Sequence, residues 1–353
     1  MAGNDLTAAL QQEVQAAYAG KTPLKIVGGN SKAFYGRQTA GAVLDVSGHN
    51  GIISYEPTEL VLTARAGTPL AEIEAVLAEK GQMLPFEPPH WGPNATLGGT
   101  IACNLSGPRR PYAGSARDFV LGCHVINGKG ELLHFGGEVM KNVAGYDAAR
   151  LMAGALGTLG VMLDISLKVL PVPQDELTLV QPASLTTALE QMNKLAGRPL
   201  PLSASAWVDG HLYLRFAGAK SAVAAVQQKV AGDVLIDAPT FWRSLRELQL
   251  PFFAGAHTLW RIALPQVAPQ PHLPGDWLVE WGGAQRWLKT SEPAELVRAS
   301  VAALGGHATL FYGGNGASVF QPLPTGLWQV HQRLKSAFDP AGILNPGRMY
   351  EKL

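Results

Sequence analysis

Apolar residues at Leu6, Leu10, Val14 and Tyr18 recur every four positions, which predicts an amphipathic helix that Gly20 closes. LKIV (24–27) then reads as a strand, and LVLTARA (60–66) alternates as a second. Thr68 is placed to cap the next helix, with Pro69 at its first position, Leu70, Ile73 and Leu77 on its inner face and Gly81 as its stop. DFVLGCHVI (118–126) predicts another strand. Residues 147–171 predict a helix capped by Asp147, then glycines, then a strand.

Pro171, Pro173 and the polar QDE behind them mark a change of pattern. Beyond them come a strand (177–180), a helix (185–196) and a strand (203–208). An Asp209-Gly210 turn, a strong hairpin signal, leads to a strand (212–216), a helix (223–230) and a strand (234–236). The order βαββαβ is that of the ferredoxin-like split unit. Strands near LWRIAL, WLVEW and HATLFY, with a helix at 294–304, enlarge this second part. A last helix (Leu327, Val330, Leu334, Phe338) runs into DPAGILNPGRMY.

Composition narrows the function. The 353 residues are 47% hydrophobic and 16% charged with a net charge of +1, so there is material for a large core and no basic footprint for nucleic acid. No apolar run reaches the roughly 18–20 residues that a membrane span requires. With only Cys103 and Cys123 and no apparent signal peptide, reduced thiols and a cytoplasmic location are expected.

AGKT (19–22) lacks the first glycine of a phosphate loop, because position 15 is Gln15. The sequence has no G-x-S-x-G, H-E-x-x-H or C-x-x-C, and no G-x-G-x-x-G follows a strand. The histidines are scattered, so no metal site is expected. Three side-chain-poor segments remain: VGGNSK (27–32), ATLGGTIACNLSGP (95–108) and GALGTLGV (154–161). Small residues let backbone amides converge on an anion, so a diphosphate could be held with little help from lysine or arginine. The length of the second segment suits an extended ligand lying along the chain.

The order of these segments, with KNVAGYD (141–147) and the terminal NPGR (345–348), resembles the FAD-binding domain of the vanillyl-alcohol oxidase / p-cresol methylhydroxylase superfamily. GNSKAFYGR, GQMLPFEPPHWGPNATLGG, SGPRRPYAGSARDFVLG, FGGEVMKNVAGYD and LNPGRMY are most similar to the FAD-binding subunits of bacterial glycolate dehydrogenases. The resemblance implies an α+β chain with an FAD-binding domain of two α+β subdomains (1–172), a ferredoxin-like α+β cap (173–324) and a tail (325–353) that returns to the first domain. It also implies FAD contacts from Gly28, Gly29, Asn30 and Ser31 at the pyrophosphate and from Thr96, Gly98, Gly99, Asn104 and Gly107 along the ribityl chain and ring. Gly157, Thr158, Gly160 and Val161 would meet the adenine half, and Asn345 would return near the ring. Some relatives attach FAD through a histidine in the first loop; here that loop is GGNSK, so the cofactor is expected to be non-covalent.

Oxidising a 2-hydroxy acid on flavin moves a hydride from the α-carbon while a base takes the hydroxyl proton, and an arginine fork suits the carboxylate. Arg109, Arg110, Arg261 and Arg348 are candidates for the fork; Arg109 and Arg110 directly follow the flavin segment and stand first, with His90 as a further candidate near the ring. The histidine-rich metal motif of catalytic relatives, H-x-G-D-G-N-x-H, is not met: His307 precedes Asn315 by eight residues, Gly314 takes the aspartate's place and no second histidine follows. The resemblance therefore implies a subunit acting with a larger flavin subunit and an iron–sulfur subunit that carries electrons to the inner membrane. A non-catalytic subunit with a vestigial pocket and a stand-alone dehydrogenase are the alternatives.

Overall fold

The computed structural model describes residues 3–137, 147–255, 258–313 and 318–353. The chain divides into two compact units: Met1–Leu105, Ser115–Pro171 and Pro322–Leu353 form the first, and Ser106–Gly114 with Val172–Gln321 the second. Segment 138–146, which holds most of KNVAGYD, and 314–317, which holds Gly314 and Asn315, lie outside the described residues.

In the first unit the opening helix is Thr7–Gly20, and its buried stripe is Leu10, Val14 and Ala17 rather than Tyr18, which is 38% exposed. Gly20 stays helical; Lys21 takes the left-handed stop at φ 50°. The helix packs on Leu24 and Leu44 of two short parallel strands, Leu24–Val27 and Ala42–Asp45, and on Val161, Leu163, Ile343 and Leu344. Each such side chain removed from water contributes about 1.5–3 kcal/mol.

A five-stranded antiparallel sheet stands beside this pair, in the order Ile52–Glu56, Val61–Arg65, Val161–Lys168, Val120–Ile126, Leu132–Gly136. Alternation in Val61–Arg65 predicted one wet face, but Val61, Leu62, Thr63 and Ala64 are all buried. The second face is polar: Thr63 Oγ1 and Ser166 Oγ meet at 2.8 Å across the strands, and His124 Nδ1 lies 2.7 Å from Asp164 Oδ1 on the same side. Thr68 does not cap the helix Leu70–Glu79: Pro69 holds that position, and the Thr68 hydroxyl instead exchanges hydrogen bonds with the Gly51 backbone. The helix predicted after Asp147 is the short Ala149–Met152, and Asp147 Oδ1 accepts from Arg150 N at 3.4 Å.

The second unit is one eight-stranded sheet. Its order is Asp233–Val234, Asp175–Pro182, His211–Gly218, Leu202–Val208, Asp276–Glu280, Gln285–Lys289, Leu259–Ala263, His307–Tyr312. The first four strands have the ferredoxin-like order that the βαββαβ pattern predicts. Asp209 (φ 49°) and Gly210 (φ 74°) form the expected two-residue hairpin turn. Ser184 caps the helix Leu185–Ala196 by accepting from Thr187 N. The strand Gln285–Lys289 and the helix Ala238–Arg246 have no counterpart in the pattern reading. The strand is buried on both sides, so it carries no alternation.

Strand register separates the two faces of this sheet. Leu179, Leu214, Val279, Ile262 and Leu288 point to the face with the apolar clusters around Leu185–Ala196 and Ala294–Ala302. Thr178, Arg215, Tyr213, Glu280, Gln285 and Arg261 point to the other. That face is buried yet hydrogen-bonded: Trp242 Nε1 donates to Thr178 Oγ1 at 2.9 Å, and Gln285 Nε2 to Glu280 Oε1 at 2.6 Å.

Candidate functional site

The strand Leu24–Val27 runs straight into Gly28–Ser31, the helix Leu97–Cys103 begins behind Thr96, and residues 156–160 lead into the strand Val161–Lys168. These three segments, with Asn345 and Arg348, line one open cavity in the first unit, about 770 Å³ with the solvent space at its mouth included. Of the residues expected at a cofactor, Gly28, Gly29, Asn30 and Ser31 are on its wall, with Thr96, Gly98 and Gly99. Gly157, Gly160, Val161 and Asn345 are on it as well.

The glycines are small for different reasons. A Cβ on Gly29 would lie 1.4 Å from the Asn94 carbonyl oxygen, and one on Gly98 would lie 2.7 Å from Ala66 Cβ, so protein already fills both positions. At Gly99, beyond its chain neighbours and its own helix backbone, the one atom of the described residues within 4 Å of an added Cβ is Thr96 Oγ1, at 3.2 Å, so its side of the helix faces space. Thr96 Oγ1 in turn accepts from Gly99 N at 3.3 Å, which holds the turn in place.

The C-terminal segment locks the cavity from below. Asn345 Oδ1 accepts from Ile26 N at 2.8 Å and its Nδ2 donates to Leu156 O at 2.7 Å. The buried Lys335 ammonium donates to Thr158 O at 2.9 Å and Leu344 O at 2.7 Å, and pairs with Asp339 at 2.7 Å. Asp339 accepts from Ile343 N and Leu344 N. Burial pushes the Lys335 pKa down, while Asp339 opposes that shift.

Several expected contacts are not brought to the cavity wall. Asn104 is the left-handed stop of its helix (φ 49°), and its Oδ1 accepts from Arg117 N at 3.0 Å. The Thr158 hydroxyl donates to Ala155 O at 2.7 Å. The His90 ring is paired with Glu74 at 3.1 Å. Gly107, Arg109 and Arg110 belong to the second unit, where Gly107 O accepts from Trp281 Nε1 at 3.0 Å. Arg109 is buried and paired with Glu176 at 3.4 Å, so its charge is already engaged. His307 lies on the edge strand His307–Tyr312, and no group of three or more His, Cys, Asp and Glu among the described residues could hold a metal.

Two cations on the wall were not among the expected cofactor contacts: Lys32, which the sequence reading passed over, and Arg348, which it offered as a carboxylate fork. Lys32 is 6% exposed and donates to Ser31 Oγ and His90 O, each at 3.3 Å. Arg348 donates to Arg37 O at 2.7 Å and Ala33 O at 3.0 Å, and burial lowers its pKa. Cys103 also lines the cavity; burial pushes its thiol up to about 11, so it is a protonated, inert wall at neutral pH. Both cations were visible as GGNSK and NPGR, but a low overall charge drew attention away from them.

A family model described as an FAD binding domain matches residues 6–136, and one described as the C-terminal domain of FAD linked oxidases matches residues 323–349. The chain is 51% identical over 349 residues to glycolate oxidase subunit GlcE of Escherichia coli (strain K12), covering 99% of each. It is 33% identical over 140 residues to glycolate oxidase subunit GlcD of Bacillus subtilis (strain 168), which is 40% of this chain and 30% of that one. Solved alkyldihydroxyacetonephosphate synthase matches with a TM-score of 0.65 at 14% identity, over 96% of this chain and 75% of that one, a likeness of fold.

Proposed function

The chain belongs to the family of glycolate oxidase subunit GlcE, and from that premise we propose that it is the FAD-binding subunit of a 2-hydroxy-acid dehydrogenase assembly that oxidises glycolate to glyoxylate. The observation that carries this reading is the convergence of three glycine-rich turns and the NPGR tail on one cavity.

The residues present fit FAD. Gly99 leaves open the space that a flat ring system needs. Lys32 and Arg348 place two positive charges on the same wall as Gly28–Ser31, where a diphosphate would be neutralised. Bound there, FAD supplies the hydride acceptor. The chain's own part is to orient the cofactor through Thr96, Asn30 and Ser31 and to keep the cradle closed through Asn345. Gly107 follows the flavin segment in sequence and stays with the second unit. The first loop has no histidine, so the cofactor is held without a covalent bond.

The partners are a larger flavin subunit and an iron–sulfur subunit, which would pass electrons on to the inner membrane from the cytoplasmic side. No helix among the described residues is long and apolar enough to cross a membrane, so that approach runs through the partners. Purification of the chain tests the reading directly. A yellow preparation that releases FAD on acid precipitation is expected, together with glycolate-dependent dye reduction only when the partner subunits are added. A colourless protein that takes up no added FAD would overturn it in favour of a vestigial pocket. Dye reduction by the isolated chain would reassign it as a stand-alone dehydrogenase.

A further inference from the structure

The hairpin between Asp276–Glu280 and Gln285–Lys289 turns through Trp281, Gly282 and Gly283, all three at positive φ (58°, 66° and 97°). Positive φ is costly for a residue as large as tryptophan, and such strain concentrates at ligand clamps. The Trp281 indole is fixed by its Nε1 bond to Gly107 O, and Gly282 N donates to Ser205 Oγ at 3.0 Å. Two guanidinium groups rest on this single indole: Arg110 at 4.5 Å and Arg261 at 5.3 Å from the ring centroid.

Arg261 is held from behind. Its Nε donates to Gln285 Oε1 at 2.5 Å, while Gln285 Nε2 donates to Glu280 Oε1 at 2.6 Å and Trp287 Nε1 to the same oxygen at 2.7 Å. Glu280 and Gln285 are both buried, so the amide cannot easily turn. The half-buried Arg261 makes no ion pair with a carboxylate, and its two terminal nitrogens make no hydrogen bond, among the described residues. Two of the other three arginines considered for a carboxylate fork are engaged: Arg109 with Glu176, and Arg348 with the carbonyls of Ala33 and Arg37.

We propose that Arg261, laid on Trp281 with Arg110 adding positive potential from the same ring, is the carboxylate-binding residue of a small-acid site on the polar face of the second unit's sheet. The ligand class is a small 2-hydroxy monocarboxylate, whose planar carboxylate matches the fork of the guanidinium. This assignment rests on the 2-hydroxy-acid reading above.

Calorimetric titration of the FAD-loaded, full-length chain with glycolate tests it, with uncharged glycolamide as control and no electron acceptor present. Wild type is expected to bind glycolate and not glycolamide. Arg261→Gln should weaken glycolate at least about ten-fold, the size of a lost charge-assisted pair. Arg261→Lys, which keeps the charge but not the fork, should fall between them. Equal glycolate affinity in all three proteins, or no binding by wild type, would overturn the site. Flavin absorbance and thermal midpoint of the same samples separate causes: variants that stay yellow and folded while binding glycolate like wild type sink this site and leave the flavin reading intact. A colourless wild type that still binds glycolate through Arg261 sinks the flavin reading alone.

Discussion

Asn345 reaches back across the chain to Ile26: its Oδ1 takes the Ile26 backbone N–H at 2.8 Å, and its Nδ2 gives a hydrogen bond to Leu156 O at 2.7 Å. One amide thus ties the strand before the first glycine loop to the start of the third. Gly157 has φ 71°, and a Cβ there would lie 2.7 Å from Asn345 Nδ2, so the amide and the glycine have one shared requirement.

Asn345→Leu removes both bonds and leaves a buried donor and acceptor unpaired, at about 1–3 kcal/mol each. The expected outcome is a lower thermal midpoint and FAD loss on gel filtration, with Asn345→Asp retaining the Ile26 bond and falling less. Flavin retention in Asn345→Leu equal to wild type would show that the loops hold their places without it.

Gly98 and Gly99 are adjacent and should fail differently. An added Cβ at Gly98 meets Ala66, so Gly98→Ala is expected to lose about 1–3 kcal/mol of stability by overpacking. Gly99→Val meets the Thr96 hydroxyl, which has to give by a few tenths of an ångström, and no backbone, so it should fold with a smaller loss of midpoint than Gly98→Ala and bind no FAD. Stoichiometric flavin in Gly99→Val would move the ring away from this helix.

The contrast shows what the sequence could convey. Three glycine segments and the NPGR tail were enough to bring eleven expected residues to one cavity, because a turn poor in side chains is a local property. Gly98 lines the cavity, but its small size answers to another contact: its neighbour is Ala66, thirty-two positions away, and no local pattern reports that. Asn104 and Thr158 sit in the right segments yet spend their polar atoms on backbone. Arg109 and Arg110 drew attention by following the flavin segment, but Arg109 is paired with Glu176, 67 positions on. Arg261 became distinctive only once the sheet set Gln285 behind it. The strand Gln285–Lys289 escaped because four of its five residues are buried, leaving no alternation to read.

Lys32 and Arg348 should matter for the phosphates rather than for the ring. Lys32→Met and Arg348→Met are each expected to weaken FAD by about 10- to 100-fold, the worth of one charge-assisted contact, and to make the remaining affinity less sensitive to salt. Riboflavin, which has no phosphate, should bind wild type and variants alike. Fluorescence-quench titration of both ligands reads the ratio, and an equal loss for riboflavin would place these cations at the ring instead.

His49 gives the first unit a pH dependence. It is 1% exposed, and its Nδ1 accepts from Leu6 N at 2.9 Å, so the neutral ring is what holds the start of the opening helix. Burial lowers its pKa from 6.5; Asp5 and Asp164 oppose the shift and Arg65 adds to it. Asp5 is held down to about 2, chiefly by the hydrogen bond from Thr7 N, so it stays charged throughout the relevant window. A folded-state pKa below the unfolded one means that the unfolded chain binds the extra proton first. Stability from His49 is therefore complete above about pH 6.5 and is lost as pH falls through the lower folded value. Asparagine can offer its oxygen where Nδ1 stands and does not titrate. His49→Asn should show a shallower fall in thermal midpoint between pH 7 and pH 5 than wild type, measured in matched ionic strength. Parallel curves for the two proteins would assign the acid sensitivity to other groups.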